Sequence, residues 1–398
     1  MKYCVIVPDG AADYPLARLD GKTPLEAART PSMDRAAREG LLGLTNHVPR
    51  RMTPGSSVAM MSVAGYDPAR CFTGRGPLEA ADLGIEMGPR DWAVRCNLIT
   101  AAADTLVDFT AGHISTEEAR VLIEALDAEL GSAQLKFHVG TSYRRVLLYG
   151  GPGALAAETV PPHDVVGQPL RDNYPRGENS RLLVDLMERS RAILDSHDVN
   201  HVRRDLGKNP ANMIWLWGQG VRPDLAGFEG RFGVRGAVIS AVNLVRGIGR
   251  LVGWEVITVP GATAYVDTDY AAKGRYAVDA LTRCDLVLVH IEAPDEASHE
   301  RDLRGKIRAL ECIDRDIVGP VMAHGDMEGG LRVLTMPDHV TSVEDGKHKR
   351  GRVPFAMWGR GIEAASGYRY TEADAEAADV EIEHGWELMS HLVGKSGA

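Results

Sequence analysis

The sequence predicts an α/β protein: a mainly parallel sheet with helices on both faces, into which a smaller α/β domain is inserted. Three observations predict it. First, short β-branched runs such as Val5-Ile-Val7, Ala237-Val-Ile239 and Leu286-Val-Leu-Val289 mostly alternate with helical patterns, and such alternation builds a parallel sheet covered by helices. Second, the texture changes near Arg95 and returns near Gly236, so this pattern brackets a stretch of different character. Third, 398 residues are too many for one ordinary core and imply about two domains. The expected division gives residues 1–92 and 233–398 to the larger domain and 93–232 to the insertion.

The elements follow in order. Lys2-Tyr-Cys-Val-Ile-Val7 reads as a strand closed at Pro8-Asp9-Gly10, where Pro and Gly make a tight turn. Thr23 caps a helix with Pro24 at its first position, and a second helix covers Ser32 to Glu39. Pro54-Gly55-Ser56-Ser57 is a glycine turn leading into the apolar helical run Val58–Val63. Cys96–Thr100 and Thr105–Phe109 read as hairpin strands, and Ser115-Thr-Glu-Glu118 is a capping-box start. Phe137–Gly140 and Arg145–Tyr149 read as strands, and Ser180 to Asp195 as an amphipathic helix. Ile214-Trp-Leu-Trp217 is a short strand expected to end at Gly218-Gln-Gly220. Glu255–Val259 and Arg332–Thr335 complete the β-branched runs of the larger domain.

Composition narrows the function class. Apolar content of 44% with 25% charged residues is ordinary for a soluble globular enzyme. A formal net charge of -10 argues against general affinity for nucleic acid or anionic membranes, while leaving room for a local basic pocket that takes a small anion. The five cysteines are scattered without CxxC spacing, which fits reduced thiols. The chain begins with a strand and holds no bilayer-length apolar stretch. The expected location is the cytoplasm; the oligomeric state is not legible.

Two carboxylate–histidine pairs carry the chemistry. Asp295 and His299, four apart, share a face if helical. Asp338-His339 follows the run Leu331–Met336, with His348 nine residues on. Singly, each reads equally well as solvated turn or helix residues, and Asp9 as a turn residue. Together, Asp9, Asp295, Asp338, His299, His339 and His348 supply oxygen and nitrogen ligands for two divalent ions. Manganese is the expected metal, with magnesium or zinc compatible. Two ions about 4 Å apart clamp a phosphoryl transfer. Ser56, on a turn before a helix, is the candidate nucleophile; read locally, Ser56 or Ser57 is simply the helix cap.

Pro8-Asp9-Gly10, Thr53-Pro-Gly-Ser56, Gly65-Tyr-Asp-Pro68, Thr73-Gly-Arg-Gly-Pro-Leu-Glu-Ala80, Ala111-Gly-His-Ile-Ser115, Glu292-Ala-Pro-Asp-Glu-Ala-Ser-His299 and Met336-Pro-Asp-His339 resemble the archaeal-type cofactor-independent phosphoglycerate mutases of the alkaline phosphatase superfamily. The likeness runs nearly end to end. Ile214-Trp-Leu-Trp-Gly-Gln-Gly220 and Gly236-Ala-Val-Ile-Ser-Ala241 resemble a bacterial subgroup also labelled proposed homoserine kinase. The resemblance implies a transiently phosphorylated Ser56 and no need for 2,3-bisphosphoglycerate. It implies one metal on Asp9, Ser56, Asp338 and His339, and another on Asp295, His299 and His348. Arg246 matches a position where the family places a cation, and the insertion is implied to hold a small phosphorylated substrate. Arg75, Arg95, His113, Arg144 and Arg145 are the nominees there, each equally readable as a surface or packing residue. Where the family usually has an acidic residue after the serine, this chain has Ser57. The implied reaction interconverts 3-phosphoglycerate and 2-phosphoglycerate. Phosphotransfer to another alcohol such as homoserine, or phosphatase activity, is the alternative; the chain has no GxxxxGK[ST] or kinase-type GxGxxG motif.

Overall fold

The computed structural model describes residues 1–325, 329–364 and 367–394. In chain order the strands are β1 (Lys2–Pro8), β2 (Leu41–Thr45), β3 (Trp92–Ala102), β4 (Thr105–Asp108), β5 (Leu135–His138), β6 (Arg144–Tyr149), β7 (Met213–Val221) and β8 (Gly236–Ile239). They continue as β9 (Glu255–Ile257), β10 (Leu286–Ile291), β11 (Leu331–Thr335), β12 (Val340–Ser342), β13 (Lys347–Lys349), β14 (Val353–Gly359) and β15 (Glu381–Ile382).

Two compact units form: residues 1–72 with 224–398, and residues 73–223. The division falls earlier than the change of sequence texture, at Thr73 rather than 93 and at Pro223 rather than 232. The helix Gly76–Asp82 explains the first shift: its Ala80 packs with Ala93 of β3 and Val146 of β6. Phe228 and Phe232 explain the second, because their rings pack on Trp254 and Tyr66 of the first unit.

The first unit is built on an eight-stranded sheet in the order β15-β2-β14-β11-β1-β10-β8-β9. The registers make every neighbouring pair parallel except those of β14, so β14 alone runs against the rest. β1 and β10 lie at its centre and are buried along almost their whole length, as strands covered on both faces must be. One face carries Cys4, Ile6, Val287 and Val289 into a core with the helices Pro31–Arg38, Tyr270–Arg283 and Leu303–Ile313. On the other, Gly249 of the helix Asn243–Leu251 lies so close to Val238 that an added Cβ would come within 2.6 Å of it. β12 and β13 form a separate antiparallel hairpin beyond the end of β11, with Thr341 opposite His348.

The second unit holds an antiparallel sheet in which β3 pairs with β4, β6 and β7, and β5 with β6. The helices Thr116–Leu130 and Ser180–Asp195 bury Leu122, Ile123, Leu126, Leu183 and Met187 in its core. β7 does not end at Gly218: it continues to Val221, with a register shift opposite Ala93 and Arg95. The glycines bend the strand instead of stopping it. Thr73 Oγ1 donates to the carbonyl of Val221, so this unit begins and ends at one place.

Candidate metal centre and nucleophile

Strand ends deliver the site. Asp9 follows β1, Glu292 follows β10, Asp338-His339 follows β11, and His348 lies in β13. All of these strands but β13 belong to the parallel set or continue from it, so the groups gather at its carboxyl edge. Asp295 and His299 stand one turn apart on the helix Ala293–His299. Gly10 makes the crowding feasible. Its φ is +61°, and a Cβ there would lie 2.4 Å from Asp295 Oδ1 and 2.6 Å from Thr341 Oγ1.

Ser56 is the first residue of the helix Ser56–Val63 and makes no capping bond; the cap position belongs to Gly55. Its hydroxyl instead donates to Asp9 Oδ2 at 3.1 Å and lies 3.2 Å from His339 Nε2. The reading of Ser56 as a helix cap is thereby set aside. His339 Nε2 also stands 3.5 Å from Asp9 Oδ1 and 3.3 Å from Asp338 Oδ2. Among the described residues, those two buried oxygens have no hydrogen-bond partner. An unpaired buried carboxylate oxygen is costly, and a cation between Asp9, Asp338 and His339 would remove that cost. The donor atoms of this trio lie within 4.8 Å of one another.

A second trio, Asp295, His299 and His348, meets the same limit. His299 Nε2 is 3.1 Å from Asp295 Oδ2, and His348 Nε2 is 3.4 Å from Asp295 Oδ1. The two imidazole Nε2 atoms face each other at 3.0 Å, while the other nitrogen of His299 is held by the carbonyl of Gly346 at 2.8 Å. Ring nitrogens converging on a carboxylate, with the opposite nitrogen tied to a carbonyl, suit a divalent transition ion. The donor sets fit the implied metals.

The electrostatics agree. Burial, followed by the charges of Asp338, Glu292 and Asp295, pushes Asp9 well above the ordinary carboxyl range. Burial also pushes Asp295 up, but hydrogen bonds from His299 and His348 outweigh it and hold that carboxylate well below its usual value. Burial lowers His339, against the pull of Asp338. Two further groups were not foreseen. Glu292 is pushed up to about 8 by burial and then by Asp295, and with Asp9 and His290 it forms a third compact set. His290 lies inside an apolar strand and Glu292 just before a helix. Only the polar character of His290 in an otherwise apolar run could have marked it.

The arginines divide. Arg246 is half-buried on the helix Asn243–Leu251, which starts beyond β8. In the second unit, Arg95 is buried with Nε 2.8 Å from Glu79, and its guanidinium lies 4.2 Å from the Trp217 ring centroid. Arg75 also reaches Glu79, at 3.4 Å, and lies 5.7 Å from the same ring. Arg144 stands over Tyr143 at 4.8 Å, and His113 is 6.5 Å from that ring. Arg145 departs from the expected group. Register places Arg144 opposite Asn97 and Arg145 opposite Cys96, so consecutive side chains point to opposite faces. Arg145 is buried on the face of the helix Thr116–Leu130, reaching the Thr116 carbonyl at 3.4 Å.

The fold and this cluster define an α/β enzyme whose candidate centre is built of carboxylates, imidazoles and one serine. The sequence model of 2,3-bisphosphoglycerate-independent phosphoglycerate mutase matches residues 37–200. A protein of that name from Methanothrix thermoacetophila is 45% identical over 395 residues, covering 99% of this chain and 100% of the relative. Its namesake from Methanothermobacter thermautotrophicus, numbered 2, is 49% identical, covering 94% of this chain and 92% of its own. Among solved structures, a Pyrococcus horikoshii protein superposes with a TM-score of 0.83 at 28% identity, covering 100% of this chain and 98% of its own. The cofactor-independent phosphoglycerate mutase from Thermoplasma acidophilum gives 0.67 at 26% identity, covering 99% of both chains. The chain belongs to the 2,3-bisphosphoglycerate-independent phosphoglycerate mutase family. No helix among the described residues is long and apolar enough to cross a membrane.

Proposed function

We propose that this chain interconverts 3-phosphoglycerate and 2-phosphoglycerate through a phosphorylated Ser56, without 2,3-bisphosphoglycerate. The observation that carries the reading is the Ser56 hydroxyl, which makes no capping bond and lies against Asp9 and His339. Asp9, Ser56, Asp338 and His339 would hold one divalent ion, and Asp295, His299 and His348 the other, with manganese the expected metal. When bound, such ions neutralise charge on the transferring phosphoryl group and lower the serine pKa.

Ser56 Oγ attacks phosphorus as its proton leaves along the contact with Asp9 Oδ2. The bond from phosphorus to the glycerate oxygen breaks, and that oxygen takes up the proton that Ser56 gave up. In the return step the neighbouring glycerate hydroxyl attacks phospho-Ser56, and its proton passes to the serine oxygen as that oxygen departs. The first turn of the helix Ser56–Val63 presents N–H groups that favour the anionic phosphoryl group. Arg246 is a candidate phosphate ligand, and Arg75 and Arg95 beside Trp217 are candidates for the substrate carboxylate. His113 and Arg144, flanking Tyr143, are further candidates on the same grounds.

The test is a manganese-supplemented assay with 3-phosphoglycerate that follows both 2-phosphoglycerate and free phosphate. Isomerisation is expected, and Ser56→Ala lowers it by at least about a thousandfold while two ions still bind. Phosphate release without isomerisation would replace the reading with a phosphatase. Because β7 carries the Trp-Leu-Trp-Gly-Gln-Gly segment, a parallel arm with homoserine and ATP tests phosphotransfer to another alcohol.

A further inference from the structure

Ser240, His290 and Asp9 end three neighbouring strands, β8, β10 and β1, and a row of hydrogen bonds runs across them. The Val242 N–H donates to Ser240 Oγ at 3.0 Å, and Ser240 Oγ lies 3.1 Å from His290 Nδ1. His290 Nε2 lies 2.8 Å from Asp9 Oδ2, the oxygen that also accepts from Ser56. His290 is wholly buried. Its Nε2 also has Glu292 Oε2 at 3.4 Å, a longer and weaker contact than that to Asp9.

An ionised carboxylate only accepts hydrogen bonds, so Nε2 must be the protonated nitrogen whenever Asp9 is charged, as a metal ligand must be. A neutral ring then leaves Nδ1 bare to accept the Ser240 hydroxyl proton, while the Val242 N–H occupies one Ser240 lone pair. The ring is thereby locked in orientation and tautomer. Its effect on Asp9 is selective: Oδ2 is tied by His290 and Ser56, while Oδ1 keeps no hydrogen-bond partner among the described residues and lies 3.5 Å from His339 Nε2.

We infer that His290 is a positioning residue, held by Ser240, that turns Asp9 so that Oδ1 faces the ion site shared with Asp338 and His339. The inference rests on the two-ion reading above. Second-layer partners of this kind typically change metal affinity by 10–100-fold.

The experiment is calorimetric titration of Mn2+ into metal-free wild type, His290→Asn, His290→Gln and Ser240→Ala, with thermal melts of each. Wild type should bind two ions. His290→Asn, whose amide cannot reach Asp9 as Nε2 does, should weaken one ion by about 10–100-fold and leave the other unchanged. His290→Gln, whose amide nitrogen reaches the Nε2 place, should recover most of the loss. Ser240→Ala should give a smaller loss at the same ion, and it serves if His290→Asn fails to fold. Two unchanged affinities in the folded variants, equal loss at both ions, or no recovery by glutamine would each overturn the positioning role. A wild type that binds fewer than two ions would overturn the two-ion reading itself, and the inference with it.

Discussion

Asp9 and Asp295 are both buried aspartates, yet their neighbours treat them in opposite ways. Burial and then the charges of Asp338, Glu292 and Asp295 push Asp9 up, whereas at Asp295 hydrogen bonds from His299 and His348 outweigh burial and hold it down. The consequence falls on His299: burial lowers it, but its bond to Asp295 prevails and raises it from 6.5 to about 9. In the metal-free protein this raised imidazole contributes stability fully present below about pH 6.5 and lost as pH rises through about 9. An ion needs that nitrogen unprotonated. Apparent Mn2+ affinity at the Asp295 site should therefore climb as pH rises from 6 to 8.5, by up to about tenfold per unit for one displaced proton. Calorimetry in buffers of differing ionisation heat would show the proton released; a flat profile would contradict it. These candidate ligands were legible because carboxylate and imidazole recur after strand-like runs. Asp9 read singly is a turn residue and became legible only within the combined set, and His290 showed only as one polar residue in an apolar run, because burial there hides a polar partnership that three-dimensional neighbours reveal.

The hairpin β12–β13 carries Thr341 and His348, and its anchor is a buried ion pair. Lys306 Nζ donates to Asp13 Oδ2 at 2.9 Å and to the Thr341 carbonyl at 2.7 Å, and Asp13 Oδ2 also takes the Val343 N–H at 3.0 Å. Thr341 Oγ1 in turn donates to Asp295 Oδ1 at 2.6 Å. Removing one member strands a buried charge, so Lys306→Ala should cost about 3–5 kcal/mol in urea unfolding. The double variant with Asp13→Ala should cost clearly less than the sum of the two single changes. Additive losses would show that the pair does not act as a unit. Elements with local signals were readable in advance: the cap at Thr23 and the capping box at Ser115 are present, and the helix Ser180–Asp195 has the expected bounds. β13 and the end of β7 were not readable. Lys347-His-Lys349 and Gly218-Gln-Gly220 have no strand pattern of their own, and they become strands because a partner supplies the hydrogen bonds.

At the scale of the whole molecule, the mainly parallel sheet was legible from its alternation of runs, while the inserted unit's limits were not, since packing sets them rather than composition. The segment 73–223 has its own core and adjoining ends, the conditions under which an inserted domain folds alone. Expressed separately, it should show a cooperative thermal melt by circular dichroism. Trp215→Ala, which empties a site only 1% exposed, should cost about 3–5 kcal/mol there. A fragment without a cooperative transition would contradict its independence. The first unit obeys a different rule, set by its central strand. Tyr3 of β1 pairs with Leu286 on one side and Arg332 on the other, so its two sheet partners lie 283 and 329 residues further along the chain. During synthesis, which proceeds from the N-terminus, Lys2–Pro8 must wait as an unpaired apolar edge, a state open to aggregation. Contacts of such sequence separation close slowly. The candidate centre is consequently an all-or-none product of translation, and a ribosome that stops short of β11 leaves Asp9 without the strand that would bring it Asp338 and His339.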